Sequence, residues 1–190
     1  MAKILAFSGS PREKGHSRAL LDELVRGAQS KGGEVKVYDL NHPEFRGCQG
    51  CFYCRTHPEC SVKDYLTPAY GEMADAAGIV FTSPIYFAQI TGQAKMWIDR
   101  MFPMLDGQSF QPRHPGKKSV AIFAQGDANL ERFAAAVNMV QGFMRTFGWH
   151  LQDILVCAGA STPGFAIPDT LMKRAFAAGA DLAGGDEKIV

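Results

Sequence analysis

Short apolar runs alternate with longer helical patterns along this 190-residue chain, and this alternation constrains the fold more than any other feature. Between these runs lie longer segments in which the apolar residues are spaced as they are on one face of a helix. Strands that are apolar on both faces are typical of a parallel sheet with helices on both sides, so the sequence predicts a doubly wound α/β sandwich with a five-stranded parallel sheet. The predicted strands are residues 4–7, 34–40, 78–82, 119–124 and 154–157, and the predicted helices are 18–30, 94–105, 133–147 and 169–183.

The composition sets limits on the class of protein. The chain is 46% hydrophobic, and its 20 basic and 19 acidic residues leave a net charge of +1, which argues against a nucleic-acid or anionic-membrane surface. No apolar run approaches the length of a membrane span or of a signal peptide's apolar region. We therefore expect a single domain at 1–190 that works in the cytoplasm and binds neither nucleic acid nor membrane. An irregular, cysteine-rich insert is expected at about 41–64.

The first predicted strand is followed by the loop SGSPREKGHS at residues 8–17, which leads into a helix. Backbone N–H groups at a helix start, the hydroxyls of Ser8, Ser10 and Ser17, and the Arg12 guanidinium would together suit a phosphate. The alternative is an ordinary turn in which Ser17 is the N-cap. The loop has neither G-x-x-x-x-G-K-[ST] nor G-x-G-x-x-G, so it resembles neither a P-loop nor a Rossmann fingerprint. It also lacks the cysteine that a Cys-Arg phosphatase would need.

Two more loops follow strands at the same predicted edge of the sheet. SPIYF at 83–87 is apolar and aromatic, and QGDAN at 125–129 is polar and contains a glycine. Ligands of doubly wound folds bind at the carboxyl ends of the strands, so these loops predict a site for a planar ring with a phosphate tail. The alternative for the first loop is a hydrophobic turn that only covers the end of the sheet.

The motifs of these loops resemble those of the NADPH-dependent FMN reductase-like family. The matching segments are GSPR followed by H-S within residues 9–17, SPIYF at 83–87 and K-x-x-x-D-R at 95–100. The resemblance implies a flavodoxin-like fold with strand order 2-1-3-4-5. It also implies FMN, with its phosphate on the first loop and its isoalloxazine ring bordered by the other two. The implied FMN-binding residues are Ser8, Ser10, Pro11, Arg12, His16, Ser17, Pro84, Ile85, Tyr86, Phe87, Gln125, Gly126 and Asp127.

Four of the five cysteines lie within GCQGCFYCRTHPEC at residues 47–60, in the spacing C-x2-C-x2-C-x5-C. This run resembles the motif with which the iron–sulfur flavoproteins of the same family bind a [4Fe-4S] cluster beside the flavin. The resemblance implies that Cys48, Cys51, Cys54 and Cys60 are the ligands. Zinc would accept the same four thiolates, and metal-free thiols or disulfides formed in oxygen are further alternatives. Cys157, at the end of the last predicted strand, is expected to be a buried structural thiol.

The function implied by the resemblance is an FMN-dependent NAD(P)H oxidoreductase. Hydride would pass to N5 of FMN, so no side chain is assigned as catalytic, and the acceptor would be a quinone, free flavin or a redox protein. The alternative is an iron–sulfur flavoprotein electron carrier that is reduced by ferredoxin and does not use NAD(P)H. A flavin-free interaction module conflicts with three converging loops. We also expect a homodimer or homotetramer, with a candidate contact surface formed by Phe87, Trp97, Met101, Phe102 and Met104.

Overall fold

The computed structural model describes residues 1–184, and the predicted alternation of strands and helices is confirmed there. The strands are β1 (Lys3–Ser8), β2 (Glu34–Asp39), β3 (Gly78–Tyr86), β4 (Gln89–Ile90), β5 (Lys118–Ala124) and β6 (His150–Cys157). The α-helices are α1 (His16–Ser30), α2 (Thr67–Asp75), α3 (Gly92–Asp99), α4 (Ala134–Thr146) and α5 (Asp169–Ala183). Short 3₁₀ helices lie at Tyr53–Arg55, Phe102–Met104 and Leu130–Phe133.

The five long strands form a parallel sheet in the order β2-β1-β3-β5-β6. This order is the flavodoxin-like one that the resemblance implied. The two-residue strand β4, which was not predicted, pairs antiparallel with the end of β3 and makes a hairpin. The carboxyl ends of β1, β3 and β5 lie side by side, so the loops that follow them share one edge of the sheet.

One face of the sheet is covered by α1 and α5. Ile4, Val80 and Ile122 of the central strands pack there against Leu20 and Leu24 of α1 in one buried cluster. The apolar positions of α1 are spaced so that they lie on one side of the helix, which explains why this amphipathic segment was predicted correctly.

The other face is covered by α2, α3 and α4, and its core is aromatic. The Trp97 ring stacks on Phe7 with centroids 4.5 Å apart and on Phe81 at 5.5 Å. Large aromatic side chains bury more area than aliphatic ones, and offset pairs of this kind add about 1 kcal/mol each. Trp97, Met101 and Met104 are therefore core residues on α3 and the turn after it, and not the exposed contact surface that was considered.

On this face the sequence missed one helix and misplaced the end of another. Helix α2 was not predicted, because Pro68 and Gly71 interrupt the apolar pattern of a short segment. The helix predicted at 94–105 ends at Asp99 and gives way to the 3₁₀ helix at Phe102–Met104, since Pro103 cannot donate the backbone hydrogen bond that an α-helix needs. Among the described residues, no helix combines the length and apolar character required to cross a membrane.

Candidate flavin site and cysteine segment

A cleft of about 800 Å³ opens at the carboxyl ends of β1, β3 and β5. The three predicted loops converge on it, and every predicted FMN-binding residue lines it except Ser8 and Pro11. Ser8 is the buried last residue of β1, where its carbonyl accepts the backbone N–H of Leu40, so it supports the loop from behind. The structure therefore brings together residues that lie more than a hundred positions apart in the sequence.

The start of α1 forms one end of the cleft, and it lacks a side-chain cap. The N-cap residue is Gly15, no side chain accepts a hydrogen bond from the first turn, and that turn contains no acidic residue. The alternative in which Ser17 caps the helix is thus wrong, because Ser17 is the buried second residue of α1. Unpaired N–H groups and the positive end of the helix dipole leave this position suited to an anion.

Ser10 fixes the shape of the turn that leads to this helix. Its hydroxyl accepts a hydrogen bond from the backbone N–H of Arg12 at 3.2 Å and donates one to the Arg12 carbonyl at 3.1 Å. Gly15 completes the turn, since its N–H donates to the same carbonyl. The hydroxyl therefore serves first to hold the loop in place, a role that the spacing alone did not reveal.

The β3–β4 hairpin forms an apolar wall of the cleft. Its two turn residues, Phe87 and Ala88, have φ values of 51° and 66°, a conformation that costs non-glycine residues energy. Thr91 ties the hairpin to the first loop, because its hydroxyl donates to the carbonyl of Gly9 at 2.7 Å. The turn holds Phe87 fully exposed beside the cleft. Strained backbone of this kind is typical of functional positions.

Gln125 contributes a buried acceptor that lacks a donor. Its side-chain amide donates to the carbonyls of Asp127 at 3.0 Å and Asn129 at 2.8 Å, and these bonds determine which end of the amide is nitrogen. The other end, Oε1, is buried without a hydrogen-bond partner. Buried polar atoms are nearly always paired in native proteins, so a ligand that brings an N–H or O–H group fits this position.

A fourth loop, residues 158–165, was missed by the sequence analysis. The backbone N–H groups of Gly159, Ala160 and Ser161 donate to the carbonyls of Asp127, Gln125 and Gly126, so this loop is hydrogen-bonded along the third one. The only sequence signal was its position directly after the last strand of the sheet, at the ligand edge. The cleft-lining residues that were not predicted are Gly15, Ala124, Arg132, Phe133, Ala160 and Ser161.

Arg132 brings a positive charge to the mouth of the cleft. It lies on the 3₁₀ helix that Asn129 caps by accepting from the N–H of Glu131. Its guanidinium pairs with Asp127 at 3.3 Å and remains largely exposed. Arg12 adds a second guanidinium, and Asp127 is the one carboxylate among the lining residues that the structure describes, so the lining carries an excess of positive charge that favours anionic ligands.

The four clustered cysteines lie on a loop that we call the cysteine segment, residues 47–61. All four are free thiols, with Cys48 and Cys51 exposed, Cys54 half-buried and Cys60 buried. Burial, followed by the charges of the other three thiols, raises the pKa of Cys54, so the four sulfurs are electrostatic neighbours. Nevertheless, no group of three or more potential ligand side chains within residues 1–184 is arranged to hold a metal ion.

The donor set of this segment fits an iron–sulfur cluster in kind and number, while its sulfurs do not converge on one point. Four thiolates on a short loop are the usual ligands of such clusters. The Cys51 sulfur lies 3.0 Å from the Ser61 hydroxyl, and the Cys48 sulfur accepts the N–H of Gly50. Binding of a cluster would therefore require the exposed thiols to turn toward Cys60. Cys157 is buried as predicted, and burial raises its pKa to about 11.

Comparisons with known proteins agree with this fold and identify a family of flavin reductases. Residues 2–161 match the family model of the NADPH-dependent FMN reductases. An iron–sulfur flavoprotein of Methanocaldococcus jannaschii is 32% identical over 129 residues, which cover 68% of this chain and 66% of the relative. An iron–sulfur flavoprotein of Archaeoglobus fulgidus is 33% identical over 126 residues, which cover 65% and 62%. The chain thus spans slightly less than two thirds of the length of these curated relatives.

A solved structure is similar over almost the whole chain. The NAD(P)H:quinone oxidoreductase from Methanothermobacter marburgensis has a TM-score of 0.69 and 19% identity, with 97% of both chains covered. At that identity the similarity concerns the fold, and the family assignment rests on the sequence matches. The chain belongs to the NADPH-dependent FMN reductase family, on the branch of the iron–sulfur flavoproteins.

Proposed function

We propose that this protein is an FMN-dependent NAD(P)H oxidoreductase that passes electrons to a quinone, to free flavin or to a redox protein. The observation that carries the proposal is the cleft, in which an uncapped helix start and an unpartnered buried acceptor flank an apolar wall. These are the features that a phosphate tail, a polar rim and a planar ring would require, so the residues present fit FMN. The family to which the chain belongs supports the flavin.

In this proposal, the chain's own residues bind FMN and orient its ring. The first turn of α1, with Ser10, Arg12, His16 and Ser17, would hold the phosphate. The walls at 84–87 and 125–127 would enclose the ring, and Gln125 Oε1 would accept a hydrogen bond from it or from the chain that links ring and phosphate. Bound FMN supplies the hydride and electron chemistry. No side chain of the cleft is assigned a catalytic proton transfer.

A second candidate function is an iron–sulfur flavoprotein electron carrier. It is favoured by the four thiols of the cysteine segment and by the names of the curated relatives. Cys48, Cys51, Cys54 and Cys60 would hold a [4Fe-4S] cluster, which supplies single-electron transfer when bound. Electrons would come from a ferredoxin-like donor, and NAD(P)H would not be used. Free thiols in all five cysteines suit the reducing cytoplasm that we propose as the setting.

The two candidates differ in the electron donor, so one anaerobic experiment separates them. Protein purified without oxygen is mixed with NADH, NADPH or a reduced ferredoxin, and bleaching of the flavin bands is followed by stopped-flow absorbance. Rapid bleaching by either nicotinamide nucleotide, with turnover when a quinone is added, supports the oxidoreductase. Bleaching by ferredoxin alone supports the carrier. A protein without flavin bands after incubation with FMN contradicts both.

The cluster is tested separately by iron and sulfide analysis after anaerobic reconstitution. Replacing Cys51 by Ala should remove most of the bound iron and leave the flavin spectrum, because Cys51 lies outside the cleft. The matched control is Cys157→Ala, which deletes a thiol in the core on the other face of the sheet and should keep the iron. If the wild type retains flavin and binds no iron, the cluster is rejected and the FMN oxidoreductase remains.

We also propose a homodimer or homotetramer, in which a neighbouring subunit covers part of the cleft. Phe87 supports this proposal, since it is fully exposed on a hairpin at the edge of the cleft. A large apolar side chain in that position loses favourable burial unless another surface packs on it.

A further inference from the structure

Arg100 is a buried arginine whose guanidinium has a partner on every nitrogen. Its side chain is inaccessible to solvent, and it forms a two-pronged ion pair with Asp64 at 2.8 and 3.1 Å. Nη1 also donates to the carbonyl of Arg46 at 2.6 Å, and Nη2 to the carbonyl of Val62 at 3.2 Å. Nε donates to the Tyr70 hydroxyl at 3.0 Å. Only an arginine offers this planar fork of donors.

The two carbonyls that Arg100 holds flank the cysteine segment. Arg46 immediately precedes the segment and Val62 immediately follows it, so one guanidinium joins both ends of the loop that carries four thiols. Asp64 strengthens the same closure, because its carboxylate accepts the backbone N–H of Arg46 at 3.0 Å. The segment is thus closed at its base, while most of its residues are exposed to solvent.

Stability alone is a weak reason for this arrangement. A buried ion pair is costly to desolvate, and well-packed apolar residues of similar volume are often equally stable. The planar guanidinium of Arg100 instead fixes the spacing of the two ends of the segment, because it binds the carbonyls of both Arg46 and Val62. It also connects the segment to α3, because Arg100 is the C-cap residue of that helix and α3 begins just after the β3–β4 hairpin of the cleft.

We infer that Arg100 is a positioning residue for a metal centre: by joining the two ends of the cysteine segment, it limits how far Cys48, Cys51, Cys54 and Cys60 can move apart, so that their thiols can turn toward one iron–sulfur cluster. The inference rests on the proposed cluster. It adds to that proposal a residue that supports the cluster and is not one of its ligands. Cys60 supports it, since this thiol is buried in the same core cluster as Tyr70, the partner of the Arg100 Nε.

The test uses Arg100→Lys, which keeps the charge and loses the fork, and Asp64→Asn, which keeps the volume and weakens the pair. Both variants are purified without oxygen, loaded with FMN, and reconstituted with iron and sulfide. We expect iron affinity to fall about tenfold or more, as is typical when a group that supports metal ligands is lost, with FMN content unchanged. The electron paramagnetic resonance spectrum of the remaining reduced centre should broaden. Arg174→Lys, the same exchange at the exposed pair with Asp153, is the control and should match the wild type.

A second measurement follows the segment without metal. Trypsin should cleave after Arg46 faster in both variants than in the wild type, because the carbonyl of that peptide bond is no longer held. Variants that bind iron like the wild type, with an unchanged spectrum, overturn the inference and leave the cluster intact. Variants that lose FMN together with iron overturn it as well, since Arg100 would then support the whole fold. A wild type that binds no iron overturns the inference and the cluster together, and leaves the FMN proposal standing.

Discussion

At the residue scale, the end of the cleft that suits an anion is built from backbone and hydroxyl groups more than from charged side chains. Gly15 is the N-cap of α1 and brings no side chain, so a bound phosphate can take the place of the cap. The Ser10 hydroxyl holds the preceding turn through the backbone of Arg12. A site of this kind increases the affinity for ligands that carry a phosphate and contributes little to binding the rest of the ligand.

We therefore predict that replacing Ser10 and Ser17 together by Ala weakens FMN binding and hardly affects riboflavin, which has no phosphate. Hydrogen bonds to charged groups contribute about 1.5–3 kcal/mol, so FMN affinity should fall about tenfold or more. Flavin fluorescence titration of the apoprotein measures both ligands. Ser30→Ala removes a hydroxyl at the other end of the same helix and is the control. Equal losses for FMN and riboflavin would contradict the assignment of this loop.

Cys157 leads to a prediction on pH. Its thiol is buried at the end of β6, and burial raises its pKa to about 11, so it stays protonated in the folded protein. The unfolded chain releases that proton earlier, near the ordinary thiol pKa of about 8.5. Stability should consequently decrease as pH rises from about 8.5 to about 11. Urea denaturation at several pH values should show a smaller decrease for Cys157→Ala than for the wild type, and parallel curves would contradict the prediction.

At the element scale, the contact between α1 and α5 depends on glycine. Helices α1 and α5 cross at Gly27 and Gly179, where an added Cβ would overlap the carbonyl oxygens of Phe176 and Leu24. Both helices also pack on the same face of the sheet, so they cannot separate without opening the core beneath them. The crossing therefore tolerates no larger residue at either position.

We predict that Gly27→Ala destabilises the protein by about 2 kcal/mol or more, because overpacked contacts of this kind cost 1–3 kcal/mol even after adjustment. Gly142→Ala is the matched control within α4, where nothing lies near an added Cβ. That exchange should stabilise by about 0.5–1 kcal/mol, since alanine is the better helix former. Chemical denaturation of both variants measures the difference, and equal effects would show that the two helices can part.

The elements that the sequence predicted correctly are those in which the pattern of apolar residues is also the packing pattern. The Leu residues of α1 lie on one face both in the sequence pattern and in the core, and the central strands β1, β3 and β5 are apolar because they are buried on both sides. The loops of the predicted cleft followed from their place after strands, and their FMN-binding residues from the family resemblance. Helix α2 and loop 158–165 have no such pattern, because α2 is short and the loop is held mainly by backbone hydrogen bonds.

Side-chain contacts between segments that are distant in the sequence could not be predicted, for a different reason. Arg100 was seen only as part of a motif, and its contacts with Arg46, Val62 and Asp64 arise from chain segments that the fold brings together. The same holds for Gln125, whose unpaired Oε1 is apparent only when its other bonds are known. Patterns along the chain predict which elements form, whereas these contacts depend on how the elements are placed.

At the scale of the whole molecule, the β3–β4 hairpin presents exposed aromatic side chains at the edge of the cleft. Tyr86 and Phe87 of this hairpin are exposed, and Phe87 is held outward by a strained turn. An isolated chain would gain nothing from presenting that ring to water. A second subunit packed on the hairpin would bury it and cover the planar ligand at the same time, as in the dimer or tetramer that we propose.

We predict that the FMN-loaded protein has at least the mass of a dimer in light scattering, and that Phe87→Ser shifts it toward the monomer. Burying one Phe contributes about 1.5–3 kcal/mol, and a symmetric interface contains it twice, so the dissociation constant should rise about 100-fold or more. Phe110→Ser is the control, because Phe110 is also exposed but already packs on Phe102 of its own chain. A monomeric wild type with bound FMN would contradict the assembly, and equal effects of both variants would mean that Phe87 has no special place in it.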